Sequence, residues 1–268
     1  MKNQRISIIM SVYNSEKTIS RAIESVINQI YSYFEFLIID DGSVDKSLSI
    51  IEKYKKSDER IRIFRNKKNI GLTKSLNIGL DNSKYDLIAR IDADDWWRKD
   101  KLEKQVEFLN CNEEYVVIGT NVINVNTISK KKKSIEKPQT DSEIRTFLFR
   151  GAPFVHSSIV FRKKCINRYD EIYYTSQDYE LYYRLLKVGK GYNVQEILTF
   201  RETHRKNSIT TKNLRLHKIN DIKIRWKIFK LYKPNLAYYL YFVPDILALL
   251  IPAWLKTLKN KLQGFFNN

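Results

Sequence analysis

The feature that most constrains the fold of this chain is a regular alternation of short apolar runs with amphipathic segments in its N-terminal half. Ile19, Ala22, Ile23 and Val26, for example, follow the first apolar run at helical spacing. The predicted strands and helices alternate as 6–12, 19–30, 36–39, 45–56, 61–64, 72–82 and 86–91. Short strands that alternate with helices indicate βαβ units, and therefore an α/β domain with a mostly parallel sheet and helices on both faces.

The second half of the chain has a looser pattern. Further strands and helices are predicted at 116–125, 142–149, 158–161, 178–188, 197–203 and 212–233. The apolar segment that follows, 236–255, is interrupted by Pro244 and Pro252. We expect one domain at 1–211 and a helical tail at 212–268. The N-terminal run is expected to be the first strand and not a signal peptide, because it lacks a small-residue cleavage site.

Most of the net charge of +18 comes from the C-terminal quarter. Residues 201–268 contain 14 Lys and Arg against 3 Asp and Glu, and they are rich in Tyr, Leu, Phe and Trp. A basic and apolar segment is typical of a membrane surface at least as much as of a polyanion. An interfacial helix or hairpin, soluble packing or a dimer contact, and a membrane span stay open, although Asp245 opposes a span. Two distant cysteines, Cys111 and Cys165, exclude a zinc ribbon and a disulfide scaffold.

Acidic clusters directly follow two of the predicted strands. Asp40 and Asp41 precede a Gly-Ser turn after the second strand, and Asp92, Asp94 and Asp95 follow the fourth. In parallel sheets, ligands bind outside the carboxyl ends of the strands. Neighbouring carboxylates at a buried strand end repel each other unless a cation or a donor-rich ligand offsets them. Both clusters therefore indicate a ligand site.

The two clusters favour different ligands. For Asp41 we expect a base or ribose donor, whereas a helix cap explains Ser43. Asp92 and Asp94 are expected to bind Mg²⁺ or Mn²⁺ with a diphosphate, because these ions take carboxylate and phosphate oxygens. A cap is the preferred interpretation for Asp95, since a helix is predicted to begin nearby.

Four segments with these residues occur in order: 6–14, Asp40-Asp41-Gly42-Ser43, Asn69-Ile70-Gly71-Leu72 with Asn77-Ile78-Gly79, and 89–95. Together they resemble the family 2 glycosyltransferases of GT-A fold, above all bacterial enzymes that build surface polysaccharides. The resemblance covers about residues 5–210. It implies a GT-A (Rossmann-like) domain and a metal-dependent, inverting transfer from a nucleotide-sugar.

The resemblance also implies roles at the nucleotide. Ser11 and Tyr13 would line the nucleotide pocket, and Asp41 would bind the base, typically uracil. Asp92 would contact the ribose or the metal. Asp94 would bind the metal that bridges the diphosphate.

Five other side chains are weaker candidates for the site. Lys74 and Arg201 would face the diphosphate, and His204 would contact the metal or the diphosphate. His156 would lie on the acceptor side, and Trp96 would stack on a sugar. For each of them an exposed or packed side chain is the ordinary alternative.

Gln177 and Asp178 resemble the Glu-Asp pair at which the family's helix begins, with Gln in place of the first acid. The resemblance implies that Asp178 is the general base, which removes the acceptor hydroxyl proton as that oxygen attacks the anomeric carbon. A helix cap is the alternative, and the two roles can coexist.

The favoured function is therefore transfer of a hexose or N-acetylhexosamine from a UDP-sugar to a polyprenyl-diphosphate-linked glycan. The tail would hold the protein peripherally at the cytoplasmic face of the cell membrane. A nucleotidyltransferase on a similar sheet is one alternative. A basic nucleic-acid-binding protein is another, but it leaves the acidic clusters unexplained, so no nucleic-acid partner is expected.

Overall fold

The computed structural model describes residues 4–203 and 213–250, in which nine strands form a single sheet. The strands are β1 (Ile6–Val12), β2 (Phe34–Asp40), β3 (Ile61–Arg65), β4 (Leu87–Arg90), β5 (Trp96–Trp97), β6 (Tyr115–Val125), β7 (Lys132–Ile135), β8 (Val160–Arg162) and β9 (Lys190–Glu202). The helices are α1 (Ile19–Ile27), α2 (Ser47–Ser57), α3 (Leu72–Asn82), α4 (Lys101–Cys111), α5 (Asp141–Leu148), α6 (Gln177–Val188), α7 (Leu214–Tyr232) and α8 (Val243–Leu250).

The strand order is β3-β2-β1-β4-β8-β6-β9-β5, with β7 paired to β6. β1 to β4 pair in parallel. Beyond them β8 runs antiparallel to β4 and β6, while β9 runs parallel to β6. The α/β fold class is confirmed, with a mixed sheet in its second half. The order reverses at β1, which opens a crevice at the carboxyl ends of β1, β2 and β4.

Hydrophobic side chains cover both faces of the parallel strands. Ile9 and Ile39 belong to a buried cluster with residues of α3, α6 and α7, whereas Ile8 and Met10 belong to one with residues of α1, α2 and α4. The alternation along β1 therefore places helices on both faces, as the sequence predicts.

Helix α3 lies unusually close to the sheet. A Cβ atom on Gly79 would lie only 2.5 Å from the Ile9 Cγ2 atom. This glycine therefore lets the helix approach β1 and fixes where α3 begins relative to the crevice.

Three elements differ most from the sequence prediction, and the first is β7, which was not predicted. β9 begins at Lys190, before the predicted 197–203. Its inward Asn193 is buried and donates from Nδ2 to the Pro138 carbonyl oxygen at 2.7 Å. A polar residue in that inward position breaks the apolar signal of a strand. Trp96 and Trp97 form the short strand β5 against β9, and α4 begins only at Lys101.

The C-terminal segment packs on the rest of the protein. Ile224, Ile228 and Phe229 of α7 lie in the same buried cluster as residues of α6. Asp245 of α8 is buried and pairs with Arg225 of α7 at 2.9 Å. In the described ranges, no helix is both long and apolar enough to cross a membrane. The division at 211/212 and the membrane role of the tail stay predictions.

Candidate active site

A cavity of about 820 Å³ opens at the carboxyl ends of β1, β2 and β4. The end of β9 and the first turns of α6 and α7 form its opposite wall. The sequence-predicted residues that line it are Ser11, Tyr13, Asp41, Asp92, Asp94, His156, Asp178 and Arg201. The fold thus brings together the predicted nucleotide, metal, acceptor and base residues.

Asp41 holds one wall of the cavity in place. Its Oδ1 accepts hydrogen bonds from Asn66 Nδ2 and the Ile70 amide, and its Oδ2 accepts one from the Gly71 amide, each at 2.9 Å. Gly42 allows this loop to approach, because its φ is +72° and a Cβ there would lie 2.7 Å from the Lys68 carbonyl carbon. A carboxylate has about four acceptor positions, so a further donor can be bound. The base contact stays a prediction.

Asp92, Asp94 and Asp95 place carboxylate oxygens within 4.8 Å of one another. The Asp95 carboxyl is buried, and its Oδ1 accepts the Glu202 amide hydrogen at 3.1 Å. Its Oδ2 has no hydrogen-bond partner within 4–203 and 213–250. Burial first, and then the charges of the other two acids, raise the pKa of Asp95 well above its ordinary value.

The cap predicted for Asp95 is wrong, because the position before α4 is held by Asp100. Asp95 instead completes the acidic trio and anchors the end of β9. Three hard oxygen donors, one with a buried and unpartnered oxygen, are the donor set that suits Mg²⁺ or Mn²⁺.

Asp92 has a different environment. Its carboxylate pairs with the buried guanidinium of Arg90 and accepts a hydrogen bond from Ser157 Oγ at 2.9 Å. Although burial opposes it, Arg90 holds the pKa of Asp92 below its ordinary value. Arg90 also donates to Ser157 Oγ at 3.2 Å. Neither partner of Asp92 was predicted from the sequence. The signal that could have identified Arg90 is a charged residue within the apolar run that ends β4.

Asp178 lies in the first turn of α6 and faces the cavity. The side chain of Ser176, just before this helix, makes no capping bond to it, and Ser176 adopts left-handed backbone geometry. The Asp178 Oδ1 accepts a hydrogen bond from the first-turn amide of Tyr179 at 2.9 Å, so a capping contact is observed. Its role as base stays a prediction, and the two roles can coexist.

Lys137 also lines the cavity, although no motif in the sequence predicts a functional residue at this position. Its Nζ donates to the Ala152 carbonyl oxygen at 3.0 Å. Burial, helped by Arg201 and opposed by Asp178, lowers the pKa of the Lys137 ammonium to about 8. Two basic side chains, Lys137 and Arg201, thus line the same cavity as the acidic trio and Asp178.

The remaining predicted residues are less central. His156 is buried, and its Nε2 lies 2.8 Å from the Tyr169 hydroxyl, so core packing is observed and acceptor contact stays a prediction. Trp96 stacks on Phe200 at 5.4 Å between ring centroids and is not a lining residue. Lys74 is exposed on α3. His204 lies outside the described residues.

The model of the family described as Glycosyl transferase family 2 matches residues 7–170. EpsE of Bacillus subtilis (strain 168) is 34% identical over 201 residues, 72% of this chain and 71% of that protein. The amylovoran biosynthesis glycosyltransferase AmsE of Erwinia amylovora is 30% identical over 188 residues, 68% of this chain and 70% of that protein.

Solved structures resemble the whole described architecture. S. aureus TarS 1–349, in complex with UDP-GlcNAc, superposes with a TM-score of 0.67 at 16% identity, over 90% of this chain and 79% of that one. The mannosyltransferase PcManGT from Pyrobaculum calidifontis, in complex with GDP-Man and Mn²⁺, gives a TM-score of 0.62 at 13% identity, over 97% and 80%. These likenesses confirm the predicted GT-A fold.

Proposed function

This chain belongs to glycosyl transferase family 2 and is a glycosyltransferase, and we propose that it transfers a hexose or N-acetylhexosamine from a UDP-sugar to a lipid-linked glycan. The observation that carries this proposal is the shared cavity, which places an acidic trio and Asp178 around one space. Such an arrangement can hold a nucleotide diphosphate on one side and an acceptor hydroxyl on the other.

The donor side is formed by Ser11, Tyr13 and Asp41. The Tyr13 side chain is 47% exposed and is therefore available to a base or ribose. The likeness to a structure in complex with UDP-GlcNAc supports a uridine nucleotide. The likeness to AmsE supports a place in polysaccharide biosynthesis.

Asp92, Asp94 and Asp95 would hold Mn²⁺ or Mg²⁺. When bound, such an ion neutralises the charge that develops on the leaving diphosphate. The structure that contains both GDP-Man and Mn²⁺ supports this assignment. Arg201 and Lys137 would add positive charge beside the same phosphates.

Asp178 would act as the general base. A carboxylate at the start of α6 would take the proton from the acceptor hydroxyl, whose oxygen attacks the anomeric carbon as the bond to the diphosphate breaks. Attack from the side opposite the leaving group inverts the configuration at that carbon. The likeness of Gln177-Asp178 to the family's acidic pair supports this role.

The acceptor is proposed to be a polyprenyl-diphosphate-linked glycan, reached from the cytoplasmic face of the membrane. The segment 236–247 exposes apolar side chains: Leu236, Tyr239, Leu240, Val243, Ile246 and Leu247. Lys230 and Lys233 lie just before it and are suited to anionic headgroups. An exposed apolar patch with basic neighbours supports peripheral attachment to a membrane surface.

The test is a panel of UDP-sugars and other nucleotide-sugars with Mn²⁺ and a lipid-diphosphate acceptor, read by the released nucleotide and by the glycosylated product. We expect a nucleoside diphosphate. Asp178→Asn should keep donor affinity and lose about 10²- to 10⁴-fold in kcat, the range for loss of a general base. The exposed Asp81→Asn is the matched control.

Three results would overturn the proposal. Release of inorganic diphosphate from a nucleoside triphosphate would favour a nucleotidyltransferase. Unchanged turnover in EDTA would remove the metal from the reaction. Full activity of Asp178→Asn would remove Asp178 as the base.

A further inference from the structure

Helix α7 contacts the residues that lead directly into Asp178. We propose that Asn220, His217 and Asp221 of α7 are positioning residues that hold the segment 175–178 so that Asp178 faces the acceptor. This inference rests on the proposed function, because it takes Asp178 as the base. It adds a group of residues on which the position of Asp178 depends. It also makes α7 part of the active site.

Asn220 holds the first residue of that segment. Its Nδ2 donates to the Thr175 carbonyl oxygen at 3.0 Å and lies 3.1 Å from the Thr175 hydroxyl oxygen. Asn220 is 4% exposed and Thr175 is 2% exposed. Water cannot easily replace these bonds at such burial, so the loss of Asn220 would leave a buried carbonyl unpaired.

Ser176 is held by two further side chains of α7. Its Oγ donates to Asp221 Oδ1 at 2.6 Å and lies 2.8 Å from His217 Nδ1. A serine hydroxyl has one proton, and when it is donated to Asp221 the Nδ1 of His217 is the donor in the second bond. His217 Nε2 in turn lies 3.5 Å from Asp221 Oδ2, which closes the group of three side chains.

The backbone of Ser176 requires such support. Its φ is +63° and its ψ is +18°, which is the left-handed region that residues with a Cβ seldom adopt. Strained backbone of this kind persists where surrounding contacts determine it. The turn at Ser176 starts α6 and thereby points Asp178 into the cavity.

The three side chains do not form a hydrolytic triad. In such a triad the serine donates to the histidine, and the histidine donates to the acid from its other nitrogen. Here Ser176 donates to Asp221 and not to the histidine, and Ser176 is only 4% exposed. The arrangement is therefore suited to holding the backbone turn at Ser176, and not to a nucleophilic attack by the Ser176 hydroxyl.

The experiment compares steady-state kinetics of Asn220→Ala, Asp221→Asn and Ser176→Gly with wild type. Glycine adopts the left-handed region without strain, so Ser176→Gly removes the hydroxyl contacts and not the turn. We expect kcat to fall about 10- to 100-fold, the scale for misplacing a reacting group by about 1 Å. The KM for the donor should stay within about twofold of wild type. Lys223→Ala, at an exposed position of α7, is the control.

Amide hydrogen exchange provides a second readout that does not need activity. The segment 173–182 should exchange faster in the variants than in wild type, while the segment 92–97 should not change. Wild-type kcat in all three folded variants would overturn the proposal, as would a donor KM that rises in proportion to the fall in kcat. If wild type transfers no sugar but the exchange pattern appears, the proposed function fails and the link from α7 to 175–178 remains.

Discussion

At the scale of single residues, the acids of the cavity differ in what compensates their charge. Asp41 is bonded by backbone amides and an asparagine, Asp92 by a buried arginine and a serine, and Asp95 by the backbone amide of Glu202. Arg90 keeps Asp92 ionised, whereas burial and its neighbours raise the pKa of Asp95. The close approach of three carboxylates, one of them with a buried oxygen that has no partner among the described residues, favours a bound cation.

A first prediction concerns the cation. Mn²⁺ should raise the melting temperature of the wild-type protein, because a ligand that binds only the folded state stabilises it. Asp94→Asn should reduce that rise, since it removes one charged ligand of the trio. The measurement is a thermal melt with and without Mn²⁺, with the surface variant Asp81→Asn as control. Equal shifts in wild type and Asp94→Asn would contradict the assignment.

Lys137 gives a prediction about pH. Its pKa of about 8 in the folded protein lies below the ordinary value of about 10.4 expected in the unfolded chain. Folding therefore disfavours the ammonium form of Lys137. This costs the protein stability in full below pH 8, and the cost disappears above the pKa of the lysine in the unfolded chain. Lys137→Met should raise the melting temperature at pH 7, and the gain should shrink toward pH 10.

Melts at pH 7, 8.5 and 10 test this dependence. The quantity to compare across pH is the difference in melting temperature between Lys137→Met and wild type. Altered packing contributes equally to this difference at every pH, so only the charge of Lys137 makes it change. Lys223→Met, on an exposed face of α7, is the matched control. A difference that is constant across this pH range would refute the prediction.

At the scale of secondary-structure elements, the positions of α3 and α7 decide the shape of the cavity. α3 carries the loop bonded by Asp41 at its N terminus, and α7 bonds the residues before Asp178. α3 was predicted at 72–82 and is confirmed, because its signal is local periodicity. Its distance from the sheet depends on Gly79 and was not available from the sequence.

Gly79→Ala tests that distance. In an exposed helix this change stabilises by about 1 kcal/mol, but here the new methyl would lie 2.5 Å from Ile9 Cγ2. We expect a net loss of about 1–3 kcal/mol in the free energy of unfolding, the usual cost of overpacking. Urea denaturation measures it. Gly151→Ala is the control, because a Cβ there meets no atom within 4 Å. A more stable Gly79→Ala would show that α3 can move away from β1.

At the scale of the whole molecule, the described part of the C-terminal segment belongs to the core and also exposes several large apolar side chains. Ile224, Ile228 and Phe229 are buried with α6, whereas Leu240 and Leu247 are 68% and 53% exposed. Deleting residues 212–268 would therefore expose the core beside Asp178. Surface substitutions are the appropriate test of membrane binding.

Leu240→Gln with Leu247→Gln should weaken binding to vesicles that contain anionic lipid, because less apolar area is then buried at the interface. Sedimentation with vesicles measures it, and the double variant should melt at the wild-type temperature. Ile128→Gln, which changes an exposed apolar residue of the β6–β7 turn, is the control. Equal binding of wild type and the double variant would exclude this surface as the membrane contact.

The amino-acid sequence alone predicts the alternating strands and helices from β1 to β4 and the acids at the ends of β2 and β4, because both depend on neighbours in the chain. It also predicted Asp178, through the likeness of one short segment to a family. The pairing of Arg90 with Asp92, the place of Lys137 in the cavity and the contacts of α7 with the turn before Asp178 are visible only in the folded molecule. These contacts join residues from separate elements of the fold. The burial that shifts the pKa values of such residues arises only when those elements pack together.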